Sequence, residues 1–178
     1  MENVGKTAKL MGTALMAALV IVFDYSLKYS GLKIPFPWLP FMKFDFTGVP
    51  IAVSTLLYGV SSGAFTSAVA FLAIFARSSD YVGASMKAIA EFTTIAGFWA
   101  SGYFPERYRK GGSIFLGLLF RIVTMSLLNL WVMPNVWYIP YEATVGMLPM
   151  IGVFNGMQGG ISLLFGYAIY AAYKRRMG

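Results

Sequence analysis

The sequence has 178 residues, of which 58% are apolar and only 12% charged, whereas soluble domains carry roughly 25% charged residues. This composition excludes an ordinary water-soluble globule and predicts a membrane protein. At about 20 residues per crossing, six membrane helices would use about 120 positions and leave short loops. We therefore expect residues 1–178 to form one membrane-embedded domain.

Two residue types are absent from the whole sequence, cysteine and histidine. The chain therefore has no means to build a disulfide, a Cys/His zinc site, a Ser-His-Asp triad or a haem ligand. It also lacks the G-x-x-x-x-G-K-[ST] phosphate loop of an ATPase. We expect no metal, no cofactor and no enzymatic activity, and any energy that the protein uses must come from elsewhere.

The formal charge of +7 arises from 14 Lys and Arg against 7 Asp and Glu. In a soluble protein this excess would suggest nucleic acid, but in a membrane chain it is typical of cytoplasmic anchoring charge. We expect the lipid bilayer and no nucleic acid as a partner.

The first half of the chain predicts one long apolar span, one loop and two short helices. Leu10–Leu27 is long enough to cross a membrane, and we expect it to be retained rather than cleaved as a signal peptide. Residues 31–45 contain three prolines and predict an aromatic loop at the membrane edge. Residues 46–77 would form a helix about 48 Å long, too long for a core of roughly 30 Å. The glycines at 59 and 63 predict a tight turn that divides this segment.

Three clearer apolar segments follow, which brings the number of predicted spans to six. The fold class is therefore all-α, a polytopic bundle of six transmembrane helices with both termini cytoplasmic. The predicted spans are 10–27, 46–59, 62–76, 82–103, 113–133 and 148–173.

Charge placement agrees with six spans but does not prove them. With the N-terminus inside, eight basic residues lie on the inner side and four on the outer side. A five-span arrangement with the N-terminus outside gives nine against three, so the helix-length argument decides for six. The eight inner residues are Lys6, Lys9, Arg107, Arg109, Lys110, Lys174, Arg175 and Arg176; the outer four are Lys28, Lys33, Lys43 and Arg77.

Charged residues within predicted spans need an explanation, since each ionised group costs about 2.5 to 3.5 kcal/mol at the centre of a membrane helix. Lys87 and Glu91 are four residues apart on one helix face, and Arg121 lies at similar depth in the next span. We predict a structural ion pair of Glu91 with Arg121 or Lys87; contact of these groups with a ligand is the alternative. Asp24 lies near a membrane interface, where water solvates it, and is assigned no role.

Side-chain amides form a second group of candidates. Asn129 repeats in a four-residue period with Arg121 and Met125, and Asn155 and Gln158 share about one side of the sixth span. Amides inside a bundle often only join helices. Two such faces near the same end of consecutive spans favour a ligand site, because an amide offers both donor and acceptor to a flat, uncharged heterocycle.

Aromatic residues divide into a membrane-interface belt and a group that is predicted to cover a ligand. The belt comprises Trp131, Trp137, Tyr138 and Tyr141. The covering group lies in the proline-rich loop beside Lys43 and Asp45. It comprises Phe36, Trp38, Phe41, Phe44 and Phe46.

Ala14 and Ala18 form a small-xxx-small pair on the first helix. Such a face permits close helix approach. It either packs within this bundle or docks a partner subunit.

These features in this order resemble the substrate-binding S component of energy-coupling factor (ECF) vitamin transporters, and most closely the riboflavin-binding type. The resemblance covers nearly the whole chain. It is carried by TALMAALVIV in the first helix, the loop and short helix PFPWLPFMKFDFTGVPIAVSTLLYG, the pair Glu91 and Phe92, RIVTMSLLN ending at Asn129, and GVFNGMQGGI containing Asn155.

The resemblance implies a multi-pass cell-membrane subunit of an importer, in which residues 1–178 bind a vitamin near the outer face and topple in the membrane to release it inside. A T component and two cytoplasmic ATPases would be its partners, with Ala14 and Ala18 facing the T component. Riboflavin would be a transported ligand and not a cofactor. Asparagines 129 and 155 map onto those that bind the flavin ring, and Gln158 stands where family members often carry a lysine. The substrate-binding set is Asn129, Asn155, Gln158, Trp38, Phe41, Lys43, Asp45, Phe46 and Glu91.

Three other readings remain open. Within the family, the substrate would be a pyridoxine, thiamine or pantothenate-like solute. From another class, a membrane enzyme would use Glu91 or Asp45 as an acid or base, but a single buried carboxylate without His or Cys offers little chemistry. A pore or scaffold protein is disfavoured because the polar groups lie mainly at one end.

Overall fold

The computed structural model describes residues 5–177, and in them it contains six α-helices and one β-hairpin. Four of the helices, α1, α3, α5 and α6, are long and apolar enough to cross a membrane, and α2 is a shorter apolar helix. The elements are α1 (Lys6–Tyr29), β1 (Ile34–Phe36), β2 (Leu39–Phe44), α2 (Gly48–Tyr58), α3 (Val60–Ser78), α4 (Tyr81–Ser101), α5 (Glu106–Asn135) and α6 (Tyr141–Met177).

The predicted all-helical class is confirmed, and each predicted span corresponds to one helix. The last two helices extend well beyond the apolar segments, since α5 begins at Glu106 and α6 at Tyr141. Pro134 and Pro149 lie inside these helices instead of ending them, as membrane helices tolerate when neighbouring groups satisfy the freed backbone. The number of crossings remains a prediction.

The segment predicted as an aromatic loop is instead an antiparallel hairpin. Ile34 pairs with Phe44 and Pro35 with Lys43, and the register shifts between Pro35 and Phe36. Proline favours extended backbone and is compatible with the edge of such a ladder. The prolines that predicted irregular structure therefore accompany extended strands.

The predicted break in the second apolar segment is confirmed at Gly59. This residue has φ of +93° and stands between α2 and α3. A side chain is strained at such a φ, so glycine is required there. The turn reverses the chain near the start of α1, where Lys9 Nζ donates to Ser61 Oγ over 3.2 Å.

The bundle has two chemically different ends. At the hairpin end, four basic residues are matched by four acidic ones, Asp24, Asp45, Asp80 and Glu142. At the opposite end, which we call the basic end, the eight basic residues at 6, 9, 107, 109, 110 and 174–176 lie near one described acidic residue, Glu106. This asymmetry is typical of a chain oriented by positive charge.

Helices α4 and α5 pack closely through a pair of glycines. A Cβ on Gly97 would collide with the backbone nitrogen and Cα of Gly117. Backbone atoms have no rotamer with which to retreat, so the two helices approach this closely only because both residues lack side chains.

We expect Gly97→Ala to destabilise the bundle by about 1–3 kcal/mol, because the added methyl group overpacks the α4–α5 contact. Thermal unfolding of the purified protein in detergent measures the effect. Gly160→Ala in α6 is the matched control, since a Cβ there meets no atom within 4 Å. Equal unfolding temperatures for the two variants would contradict the close-packing argument.

Candidate functional site

A cavity of about 190 Å³ lies at the hairpin end, between β2, α4, α5 and α6. It is larger than the roughly 150 Å³ engineered cavity that binds benzene. The cavity brings together six of the nine predicted binding residues: Phe41, Lys43, Asp45, Asn129, Asn155 and Gln158.

The other three predicted binding residues lie outside this cavity. Trp38 is 62% exposed and packs edge-on against Phe36. Phe46 packs against Phe165. Glu91 is buried behind the cavity wall, where it borders a separate void of about 10 Å³, which is about the smallest space that can hold one water molecule. Direct ligand contact by these three is not supported by the geometry.

The aromatic cover is smaller than predicted. Of the five aromatic residues assigned to it, only Phe41 lines the cavity. Phe36 and Phe44 pack on Phe154, with ring centroids 5.5 and 5.0 Å apart. Successive side chains of a strand point to opposite faces. Because the segment was predicted as a loop, there was no basis in the sequence for deciding which aromatic side chains face the cavity.

Asn129 and Asn155 have the same local geometry. The Nδ2 of Asn129 donates to Met125 O over 2.7 Å, and that of Asn155 donates to Ile151 O over 3.0 Å. Because a backbone carbonyl only accepts, these bonds fix which end of each amide is nitrogen. Each amide can still offer its carbonyl oxygen and a second N–H.

The Oδ1 atom of Asn129 has no hydrogen-bond partner within the described part of the chain, although it is buried. An unpaired buried acceptor is uncommon and costs about 1–3 kcal/mol. Asn129 lines the cavity, so a ligand N–H would satisfy it.

Gln158 also lines the cavity, but its amide is committed to Asp45. Its Nε2 donates to Asp45 O over 2.8 Å, and its Oε1 accepts from Asp45 N over 3.3 Å. Both hydrogen-bonding groups therefore hold the end of the hairpin, 113 residues earlier in the chain. In the structure Gln158 positions the hairpin, and its contact with a ligand ring stays a prediction.

Four charged groups form a continuous network at the cavity wall, and three of them, Asp45, Glu91 and Arg121, are buried. Lys87 Nζ lies 2.9 Å from Asp45 Oδ1 and 3.0 Å from Glu91 Oε1, and Arg121 Nη1 lies 3.0 Å from the same Glu91 oxygen. The two contacts of Glu91 Oε1 are ionic and lack hydrogen-bond geometry. Glu91 thus contacts both cations that the sequence offered as alternatives, and Asp45 completes a set of net charge zero.

Asp45 lies between β2 and α2, outside the helices. Burial raises the pKa of its carboxyl, but the Lys87 ammonium and a bond from Thr47 outweigh burial and lower it from 3.8 to about 2. A lowered pKa means that the ion pair stabilises the fold above pH 4 and loses that effect as the pH falls towards 2. Asp45 therefore stays ionised at neutral pH.

Asp24 was predicted to be solvated and without a role, and this prediction is wrong. The side chain is fully buried, with Arg77 Nε 2.6 Å from Oδ2 and Lys33 Nζ 2.7 Å from Oδ1. Helix α1 continues to Tyr29, which places Asp24 more than one turn inside the helix. The cluster joins α1 to α3 and to the base of the hairpin.

Comparison with solved structures identifies the fold of this protein. No family model matches the sequence, and no curated protein matches it either. Among solved structures, one chain described as the S component of a bacterial ECF transporter aligns with a TM-score of 0.79. The alignment covers 97% of this chain and 99% of that chain at 19% sequence identity. The protein has the S-component fold.

Within the S-component fold, some cavity residues were not predicted from the sequence. Trp137 was assigned to an interface belt but lines the cavity, as do Met86 and Phe154. No local pattern distinguishes Trp137 from Tyr138, which is exposed beside it. Met125 shares the stripe of Asn129, and that four-residue period was the available signal.

We expect Gln158→Leu to loosen the hairpin of this S-component fold, because the backbone N–H and C=O of Asp45 lose their partners at a cost of about 1–3 kcal/mol. Limited trypsin digestion after Lys43, which is exposed in β2, measures the loosening as faster cleavage. Ser162→Ala, one turn further along α6, is the control. Equal cleavage rates in the two variants would refute the positioning role.

Proposed function

We propose that the protein is the substrate-binding S component of an ECF-type importer. We propose further that its cavity binds a vitamin and that riboflavin is the preferred one. The S-component fold supports the class. The observation that carries the ligand assignment is the pair of buried asparagines on the cavity wall, one with an unpaired carbonyl oxygen.

A flavin ring matches the chemistry of this wall. Its imide edge alternates carbonyl and N–H groups, which pair with amides that offer both an acceptor and a donor. Phe41, Trp137 and the methionines at 86 and 125 supply apolar surface for a flat ring. The ligand would lie beneath the hairpin.

Charge separates riboflavin from the alternative vitamins. Asp45, Lys87, Glu91 and Arg121 neutralise one another, so this part of the wall offers no uncompensated charge to a thiamine cation. Lys43 also lines the cavity and offers a partner to a pantothenate carboxylate, so the titration includes that vitamin. A neutral pyridoxine remains the closest rival. The same pairing argues against a membrane enzyme using Glu91 or Asp45, since both carboxylates are held by cations.

Orientation follows from the charge asymmetry. We propose six crossings of the cell membrane, with the basic end and both termini cytoplasmic and the hairpin end outside. The cavity would then capture the vitamin outside, and reorientation of the protein in the membrane would release it inside.

Partner docking is proposed for the first helix. Ala14 and Ala18 are exposed on α1, whereas Ala17 between them faces the bundle. Exposed small residues permit close approach of another helix. A transmembrane T component would dock there, and two cytoplasmic ATPases would supply the energy.

The test is an equilibrium titration of the detergent-purified protein against riboflavin, pyridoxine, thiamine and pantothenate. We expect riboflavin to bind most tightly and its fluorescence to be quenched, and protein purified from cells to be yellow. Tighter binding of another vitamin would overturn riboflavin and keep the S-component assignment. Failure to bind any of the four, together with failure to copurify with a coexpressed T component, would overturn the assignment itself.

A further inference from the structure

The basic end concentrates six exposed cations on two neighbouring helices. Three lie at the start of α5 and three at the end of α6. Within residues 5–177, the only carboxylate within 4.0 Å of any of them is Glu106, which is 3.9 Å from Arg109 and exposed. The six are Arg107, Arg109, Lys110, Lys174, Arg175 and Arg176.

Two of these cations are held over adjacent tyrosine rings of α6. Lys110 Nζ lies 5.2 Å from the ring centroid of Tyr167, and Lys174 Nζ lies 5.8 Å from that of Tyr170. Tyr167 and Tyr170 are three residues apart and share one helix face. The two ammonium groups, one from each helix, therefore lie over neighbouring rings of the same helix face.

The site is built across both helices. Ser113 Oγ and Tyr167 OH are 2.6 Å apart, in a hydrogen bond that joins α5 to α6 directly beside Lys110. Cation–π contact limits where each ammonium group can move without neutralising its charge. The result is a pair of oriented and uncompensated positive charges.

Exposed aromatic residues lie at the same end of the bundle, between the last turn of α4 and the start of α5. Trp99, Tyr103 and Tyr108 are 60, 76 and 61% exposed. Tyr and Trp at this level are typical of the headgroup layer of a membrane. A surface that combines this belt with unpaired lysines fits an anionic lipid better than the acidic face of a protein.

We propose that Lys110 and Lys174 bind the phosphate of an anionic phospholipid in the leaflet at the basic end. Lysine binds phosphate as a point charge, and juxtamembrane lysines each strengthen binding to an anionic surface by roughly fivefold. The proposal rests on the membrane placement of the helices and is independent of the vitamin.

The experiment is native mass spectrometry of the full chain with added phosphatidylglycerol or phosphatidylcholine. We expect the wild type to retain phosphatidylglycerol preferentially and Lys110→Gln/Lys174→Gln to lose it by roughly tenfold or more. Lys6→Gln/Lys9→Gln is the matched control, because it removes the same charge at the same end on α1. We expect the control to keep most of the binding.

Three results would overturn the proposal. An equal loss in both double variants would mean diffuse attraction rather than a site. Equal retention of the two lipids by the wild type would show that the site does not select an anionic headgroup. An acidic protein surface would then be the better candidate for the partner. Displacement of the lipid by millimolar inorganic phosphate would identify a free anion as the ligand. Lys110→Arg/Lys174→Arg, which keeps both charges, should retain the lipid and so exclude a folding defect.

Discussion

Replacement of both Asn129 and Asn155 with leucine should weaken riboflavin binding by roughly 30-fold or more. Each substitution removes an amide from the cavity wall and leaves a polar group of the ligand buried without a partner, at about 1–3 kcal/mol per group. Two such losses correspond to roughly 30-fold to 10⁴-fold in affinity. Titration of flavin fluorescence measures the change.

The matched control for this variant is Asn135→Leu. Asn135 donates to Trp131 O over 2.8 Å in the same geometry, but it is exposed at the end of α5, outside the cavity. We expect wild-type affinity from this control. Unchanged affinity in the double variant would show that the two asparagines do not bind the ligand. The assignment of the fold would not be affected.

Asp24→Leu should cost about 3–5 kcal/mol of unfolding free energy, because it leaves a largely buried cation uncompensated. Arg77 is 8% exposed in its side chain and loses both of its contacts with the carboxylate. Unfolding in detergent with increasing denaturant measures the loss.

The double variant Asp24→Leu/Arg77→Met tests the cause of that loss. Replacing a buried ion pair with apolar residues of similar size is often neutral, so we expect most of the stability to return. Lys33 is more exposed than Arg77 and can reach solvent. If Asp24→Leu alone left the stability unchanged, the cluster would have no structural role.

The helices were predictable because their signals are local. Apolar segments of about 20 residues mark the spans, and Gly59 marks the break between α2 and α3 by its backbone freedom. The hairpin was not predictable from the same local signals, because three prolines suit both a loop and an edge strand. Pairing of Pro35 with Lys43 depends on the tertiary structure.

The helical part of the candidate site was predictable where its residues share a helix face, and Phe41, Lys43 and Asp45 were predictable from the aromatic, proline-rich segment. Asn129 follows from a four-residue period within α5, and the approach of Lys87 to Glu91 follows from a similar spacing in α4. The bonds of Gln158 to Asp45 and of Arg77 to Asp24 join residues 113 and 53 positions apart. Such partners emerge from packing, and a single sequence gives no spacing that identifies them.

Lys87 is shared between a carboxylate at the end of the hairpin and a carboxylate inside the bundle. Lifting the hairpin would therefore separate Asp45 from Lys87 and leave the remaining three charges, of Lys87, Glu91 and Arg121, with a net positive balance at the cavity. The residence time of a bound ligand should then depend on electrostatics as well as on its own contacts. We expect a faster dissociation rate at high ionic strength, which screens the separated charges once water reaches them.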